Sequence, residues 1–238
     1  MHSTDTEKII RLVESGSTVL LRDALTRVSP KDLKVNGEPL IFRSENTAII
    51  RALVLAGAPV NELSLSGETI IWRILQSAGR STPDSAELVR LLLAHGADIN
   101  QKNSDSLSPL HLACGYLNLA LVFLLCDLGA DVNQPCGESS YTSLQRAVSP
   151  PLNHSKKQFA IVQYLIDKGA QLEAHDTNLG WTPLMPAAFH NNLDITKLLI
   201  ERGAVINQQS LGINGYPVEM AMDIAVRMRC HEIVRVLT

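Results

Sequence analysis

Residues 121–133 read LVFLLCDLGADVN: an apolar run at helical spacing, a Gly-Ala pair, and a short polar exit ending in Asn. Each part has a local cause. The apolar run suits one face of a helix. Gly129 ends it, because the residue after the last turn often takes a positive φ that glycine reaches without steric cost. Ala130 is small enough for close packing at the turn, and Asn133 can bond loop backbone. The same unit recurs as IIRALVLAGA (49–58), LVRLLLAHGA (88–97), IVQYLIDKGA (161–170) and ITKLLIERGA (195–204). The Gly-Ala pairs stand at 57–58, 96–97, 129–130, 169–170 and 203–204, at intervals of 39, 33, 40 and 34. A repeat of this period is a stack of small supersecondary units, none of which buries its apolar face alone.

The other half of each unit is visible in SPLHLA (108–113) and TPLMPAA (182–188). Ser or Thr caps a helix there, and Pro occupies its first turn. Ala113, Ala147, Ala187 and Ala188 let two helices approach closely. With both halves in place, the chain resembles ankyrin-repeat proteins, whose unit is a β-turn loop followed by two antiparallel helices. The resemblance implies an all-α solenoid, a single domain over 1–238. About seven units are expected, near 5–29, 34–61, 64–100, 103–133, 137–173, 177–207 and 216–238, with the outer two as caps. The units at 103–133 and 177–207 are nearly ideal. The unit at 64–100 has Ile70, Ile71 and Trp72 where Pro-Leu-His is usual, 34–61 is two or three residues short, and the last stops inside its second helix.

Two units are lengthened between their helices, near 77–86 (SAGRSTPDSA) and 149–158 (SPPLNHSKKQ). Insertions at exposed turns cost little and accumulate by drift. Because these two sit at equivalent positions, they are also expected to project from one edge and to widen a contact surface. The long loop 208–218, QQSLGINGYPV, is a third irregularity, expected to reshape the groove beside the last unit.

Composition narrows the function. Apolar residues make up 45% and charged residues 19%, enough for a core and against wholesale disorder. The net charge of −3 speaks against a nucleic-acid binder, which usually carries a basic face. No secretory h-region opens the chain and no apolar run approaches the ~18 residues of a membrane span. These features predict a cytoplasmic or nucleocytoplasmic protein with reduced thiols, monomeric alone, without membrane or nucleic-acid partners.

Sites for chemistry are sparse. None of the four cysteines pairs at CxxC spacing, and His231-Glu232 begins no HExxH. Cys114 and Cys126 read as core thiols, and Cys136, in a loop, as the likeliest to react. No phosphate-binding glycine loop or nucleophile motif is present. No catalytic residue, cofactor or metal is therefore expected, and the chain reads as a non-enzyme. A small enzyme or ligand sensor built on the same solenoid is the alternative.

The resemblance implies that His111 ties neighbouring loops through its ring. It also implies that another protein binds through loop tips and the exposed side of the first helices. Transferred to this chain, those positions include Glu68, Leu107, Tyr116, Tyr141, Leu179, Trp181, Phe189 and His190. Of only ten aromatic residues in the chain, four fall in this set. Aromatic side chains grouped this way are the usual anchors of an interface, so the four are expected to form one strip across three units.

Overall fold

The computed structural model describes residues 2–77, 83–149 and 156–238. They fall into two compact bodies, Met1–Asp105 and Ser106–Thr238. Thirteen α-helices, two 3-10 turns and one hairpin of two-residue strands make up the regular structure among the described residues, so the chain is all-α. None of the described helices is long and apolar enough to cross a membrane.

The N-terminal body holds α1 (His2–Ser15), α2 (Thr18–Leu25), α3 (Thr47–Leu55), α4 (Ile70–Ser77) and α5 (Pro83–Ala94). Before α3 come β1 (Lys34–Val35) and β2 (Glu38–Pro39), joined through Asn36 and Gly37, both at positive φ. Asn-Gly at the centre of a two-residue hairpin loop matches the strand twist. The shortened repeat at 34–61 has only a 3-10 turn, Leu40–Arg43, in place of its first helix. That turn still buries Leu40, Ile41 and Phe42.

The C-terminal body holds α6 (Pro109–Gly115), α7 (Leu119–Asp127), α8 (Ser143–Val148), α9 (Lys156–Asp167), α10 (Leu184–Phe189), α11 (Leu193–Glu201), α12 (Ala221–Arg227) and α13 (His231–Leu237). First helices pack in the order α6, α8, α10, α12, and second helices in the order α7, α9, α11, α13. Ser108 and Thr142 cap α6 and α8 from their hydroxyls. Gln145 completes a capping box with Thr142.

The Gly-Ala pairs end the second helices as expected. Gly129 has φ +92, and no atom lies within 4 Å of where its Cβ would stand. The position therefore requires the conformation, not the space. Its N–H donates to Cys126 and that of Ala130 to Leu125, at 3.1 and 3.0 Å, the paired bonds of a Schellman ending.

The exit asparagines reach further than their own loops. Asn133 donates from Nδ2 to the Gly169 carbonyl at 3.0 Å and accepts from the Gln171 N–H at 2.8 Å. Asn61 does the same to Gly96 and Asp98, each at 2.8 Å. One side chain thus joins consecutive repeats by tying the next helix end. The turns between paired helices need a left-handed residue, supplied by Leu117, Asn191 and Arg229.

The lengthened segments are described only at their helical ends, α4, α5, α8 and α9. Residues 78–82 and 150–155, which carry the expected projections, lie outside the described residues.

Candidate functional site

The loops of the C-terminal body form a ladder of fingers. Gly137 donates to the Ser106 carbonyl at 2.9 Å, Thr177 to Ser139 at 2.8 Å, and Leu211 to Gly180 at 3.2 Å. Each finger is thereby fixed to its neighbour by main-chain bonds, independently of sequence.

Residues 209–220 are the longest finger, and they form a hairpin rather than an open loop. Gln209 bridges Met220, and Ser210 N donates to the Glu219 carbonyl at 2.8 Å. At the tip, Asn214 and Gly215 have φ of 53° and 79°, and Tyr216 N donates to Ile213 O at 3.0 Å. The Asn214 side chain donates to the carbonyls of Thr177 and Asn178, at 3.3 and 2.9 Å, pinning the tip to the preceding finger. Gly180 permits this closeness. A Cβ there would meet Leu211 N at 2.5 Å, and its φ is +69°.

A cavity of about 540 Å3 opens beside this hairpin. Tyr141, Leu179, Trp181, Phe189 and His190 line it, together with Tyr216, Pro217, Asp176, Glu219 and Arg227. Trp181 and Phe189 sit with ring centroids 5.6 Å apart and planes at 52°, and His190 meets the Phe189 ring edge-on at 5.1 Å. Such tilted pairs are favourable aromatic geometry.

The Trp181 backbone is held from both sides. Its N–H donates to Asp176 Oδ2 at 3.0 Å, and its carbonyl accepts from Gln145 Nε2 at 2.9 Å and from Asp176 N at 3.1 Å. Gln145 Nε2 also donates to Ala174 O at 2.9 Å. Gln145 stands where His111 stands in the unit before, so an amide performs the loop-tying role that the resemblance assigns to that histidine. His111 itself is buried, and its main-chain N–H donates to Ser108 Oγ at 3.3 Å.

Asp176 is only 1% exposed. Its carboxylate also accepts the N–H groups of Asn178 and Leu179, at 2.8 and 2.7 Å. Among the described residues, no Lys, Arg or His forms an ion pair with it. Tyr141 is bridged to Cys136 through its main chain. Burial, and secondarily the charge of Asp176, push the Tyr141 phenol above its ordinary pKa, while Arg146 opposes this. Glu219 pairs with Arg227 at 3.0 Å.

Five of the eight positions inferred from sequence therefore converge on one cavity. Tyr116 does not join them: it caps the end of α6, is 68% exposed and does not line the cavity. Position within the repeat is not the reason, because His190 follows the last residue of α10 in the same way and lines the cavity. Tyr116 belongs to α6, which supplies none of the lining among the described residues. Leu107 lies instead toward the next finger, with its Cδ2 at 3.3 Å from the Cβ position of Gly137. Glu68 belongs to the N-terminal body, where it accepts from Ser66 Oγ at 3.3 Å and pairs with Arg73 at 3.6 Å.

Cys136 differs from its loop reading. It is 1% exposed, because the bridge to Tyr141 folds it under its own finger. Burial raises the Cys126 thiol to about 11 and places that of Cys114 well above its usual value.

Sequence reasoning missed the far wall, Tyr216, Pro217, Glu219 and Arg227. The signal was present in Ile213-Asn214-Gly215-Tyr216, an Asn-Gly pair between apolar residues that marks a hairpin. Asp176 was missed because a carboxylate in a loop reads as solvated until its amide partners are seen.

The family model for ankyrin repeats matches residues 40–136, 141–210 and 156–238. The E3 ubiquitin-protein ligase KEG of Arabidopsis thaliana is 27% identical over 181 residues, 73% of this chain and 11% of that protein. The ankyrin repeat and KH domain-containing protein mask-1 of Caenorhabditis elegans is 26% identical over 214 residues, 78% of this chain and 8% of that one. A fowlpox virus protein named for its ankyrin repeats is 34% identical over 128 residues, covering 54% and 28%. The chain thus spans less than a third of the length of each of these relatives.

Proposed function

This chain belongs to the ankyrin-repeat family, and from that premise we propose that it holds a partner protein in the cavity between the Trp181 finger and the 209–220 hairpin. Ankyrin repeats are generally interaction modules without catalytic activity. The observation that carries the reading is the cavity wall: Tyr141, Trp181, Phe189 and Tyr216 come from four separate segments and meet around about 540 Å3. An interior role would not require four of ten aromatic residues at one opening. Clustered aromatic anchors, rigid and largely desolvated, are where binding energy concentrates.

The role is that of an adaptor, effector or inhibitor, each of which works by occupying a partner's surface. The four free cysteines fit a reducing compartment such as the cytoplasm. Site-specific photo-crosslinking tests the reading. A benzophenone side chain at Tyr216, 53% exposed, should yield defined protein adducts in native host extract. The same group at Lys197, on α11, should not. Equal labelling from both positions would refute the assignment.

A further inference from the structure

The cavity has a chemical preference beyond being aromatic. We propose that it takes the side chain of an arginine, carried on an extended segment of the partner protein. This rests on the reading above and names the chemistry that the cavity recognises.

Four aromatic rings make the wall. Trp181 and Phe189 form an angled corner, and Tyr141 and Tyr216 complete the lining. Aromatic faces carry partial negative charge and attract a cation held over them, most strongly when water is excluded.

Charged groups lie beneath the wall. Asp176 and Glu219 are acidic and Arg227 is basic, and the imidazole of His190 also lines the cavity. Arg227 is paired with Glu219. Asp176 lies at the floor, its carboxylate accepting three backbone N–H groups and forming no ion pair among the described residues. After burial, Asp176 is the next cause of the raised pKa of Tyr141, with Arg146 opposing it. The lining thus holds two carboxylates against one arginine.

Other occupants fit less well. An acidic side chain would compete with Glu219 for Arg227 and would lie beside the Asp176 carboxylate. A purely apolar one would fit the rings but would desolvate Glu219, already only 17% exposed, without replacing its lost water. A guanidinium satisfies both features. It is planar and weakly hydrated, stacks on rings, and offers a fork of donors to a carboxylate. The volume, about 540 Å3, accommodates such a long side chain with its flanking backbone.

Three blocked peptides, Gly-Ser-Gly-X-Gly-Ser-Gly with X as Arg, Leu or Glu, test this on the full chain. Binding is followed through the indole N–H resonance of Trp181, assigned by its loss in Trp181→Phe. The Arg peptide should bind roughly fivefold or more tightly than the other two, the scale of a partly desolvated cation over rings. Glu219→Gln should lower the Arg affinity, because it also releases the charge of Arg227. Tyr216→Ala should lower it as well, and unchanged thermal melts show that both variants are folded. A Leu peptide that binds as well overturns the inference in favour of an apolar occupant. A tighter Glu peptide overturns it in favour of an anion at Arg227. A silent Trp181 resonance with all three, or an Arg affinity indifferent to Glu219→Gln, also sinks it. Protein adducts at Tyr216 without an Arg preference remove only this inference, whereas equal labelling from Tyr216 and Lys197 removes the binding site itself.

Discussion

The side-chain amide of Gln145 donates to the main-chain carbonyl of Trp181 across one repeat, at 2.9 Å. The bond joins the start of a first helix to the root of the next finger. It also fixes the residue that forms the cavity's corner. Gln145 is 1% exposed and serves Ala174, Trp181 and its own cap at Thr142. Gln145→Ala leaves these buried groups without their partner and should cost roughly 2–4 kcal/mol. Urea melts measure the loss. A cost below about 0.5 kcal/mol would mean that the finger is held without it.

Gly129 is required for its conformation alone. Gly129→Val places a β-branched side chain at φ +92 and should destabilise by roughly 1–3 kcal/mol. Coincident urea transitions for variant and parent would contradict this.

Leu117 occupies a left-handed position, φ 51°, where the equivalent turn between α10 and α11 uses Asn191. A non-glycine residue there costs on the order of 1 kcal/mol, and asparagine less than most. Leu117→Asn should therefore raise the melting temperature by about 2–4 °C. A lowered melting temperature would show that the Leu117 side chain contributes more by packing than it costs by strain.

All four cysteines are buried and unpaired. For Cys114, Cys126 and Cys230, burial raises the pKa, which keeps the thiolate scarce at neutral pH. Ellman's reagent should titrate none of the four within minutes in native protein and all four in denaturant. Rapid reaction of one thiol in the native state would locate an opening of the fold at that cysteine.

The repeat was legible in sequence because its signals are local. Gly-Ala pairs end helices, Ser or Thr with Pro starts them, and both act within a few residues. The near side of the cavity was legible for the same reason: Tyr141 precedes the cap Thr142, Trp181 stands at the matching place before α10, and Phe189 ends that helix. The N-cap of α10 is nevertheless Pro183, without the side-chain cap expected of Thr182. What was not legible depended on contacts between repeats. The partner of Asn133 is the next helix end, the work of a histidine passes to Gln145, and Tyr216 reaches the cavity only because Gly180 lets the hairpin lie against the preceding finger. Tyr116 shows the converse. It occupies the same helix-end position as His190, but on α6, which supplies no lining residue among the described residues, so the repeat pattern alone did not say which units build the cavity.

Whether the Trp181 cavity holds the partner is decided by comparative capture. Wild type, the Trp181→Ala/Tyr141→Ala double variant and a Lys197→Ala control are immobilised at equal amounts and offered native host extract, with retained proteins quantified by mass spectrometry. Truncating Trp and Tyr anchors typically costs about 2 kcal/mol or more, roughly thirtyfold in affinity. Losing the Trp181–Phe189 ring contact costs the fold only about 1 kcal/mol, a few degrees in melting temperature. A set of proteins should be shared by wild type and control and lost from a double variant that still melts cooperatively within a few degrees of the parent. Retention of that set by the double variant, or a double variant that no longer folds, would contradict partner binding in this cavity.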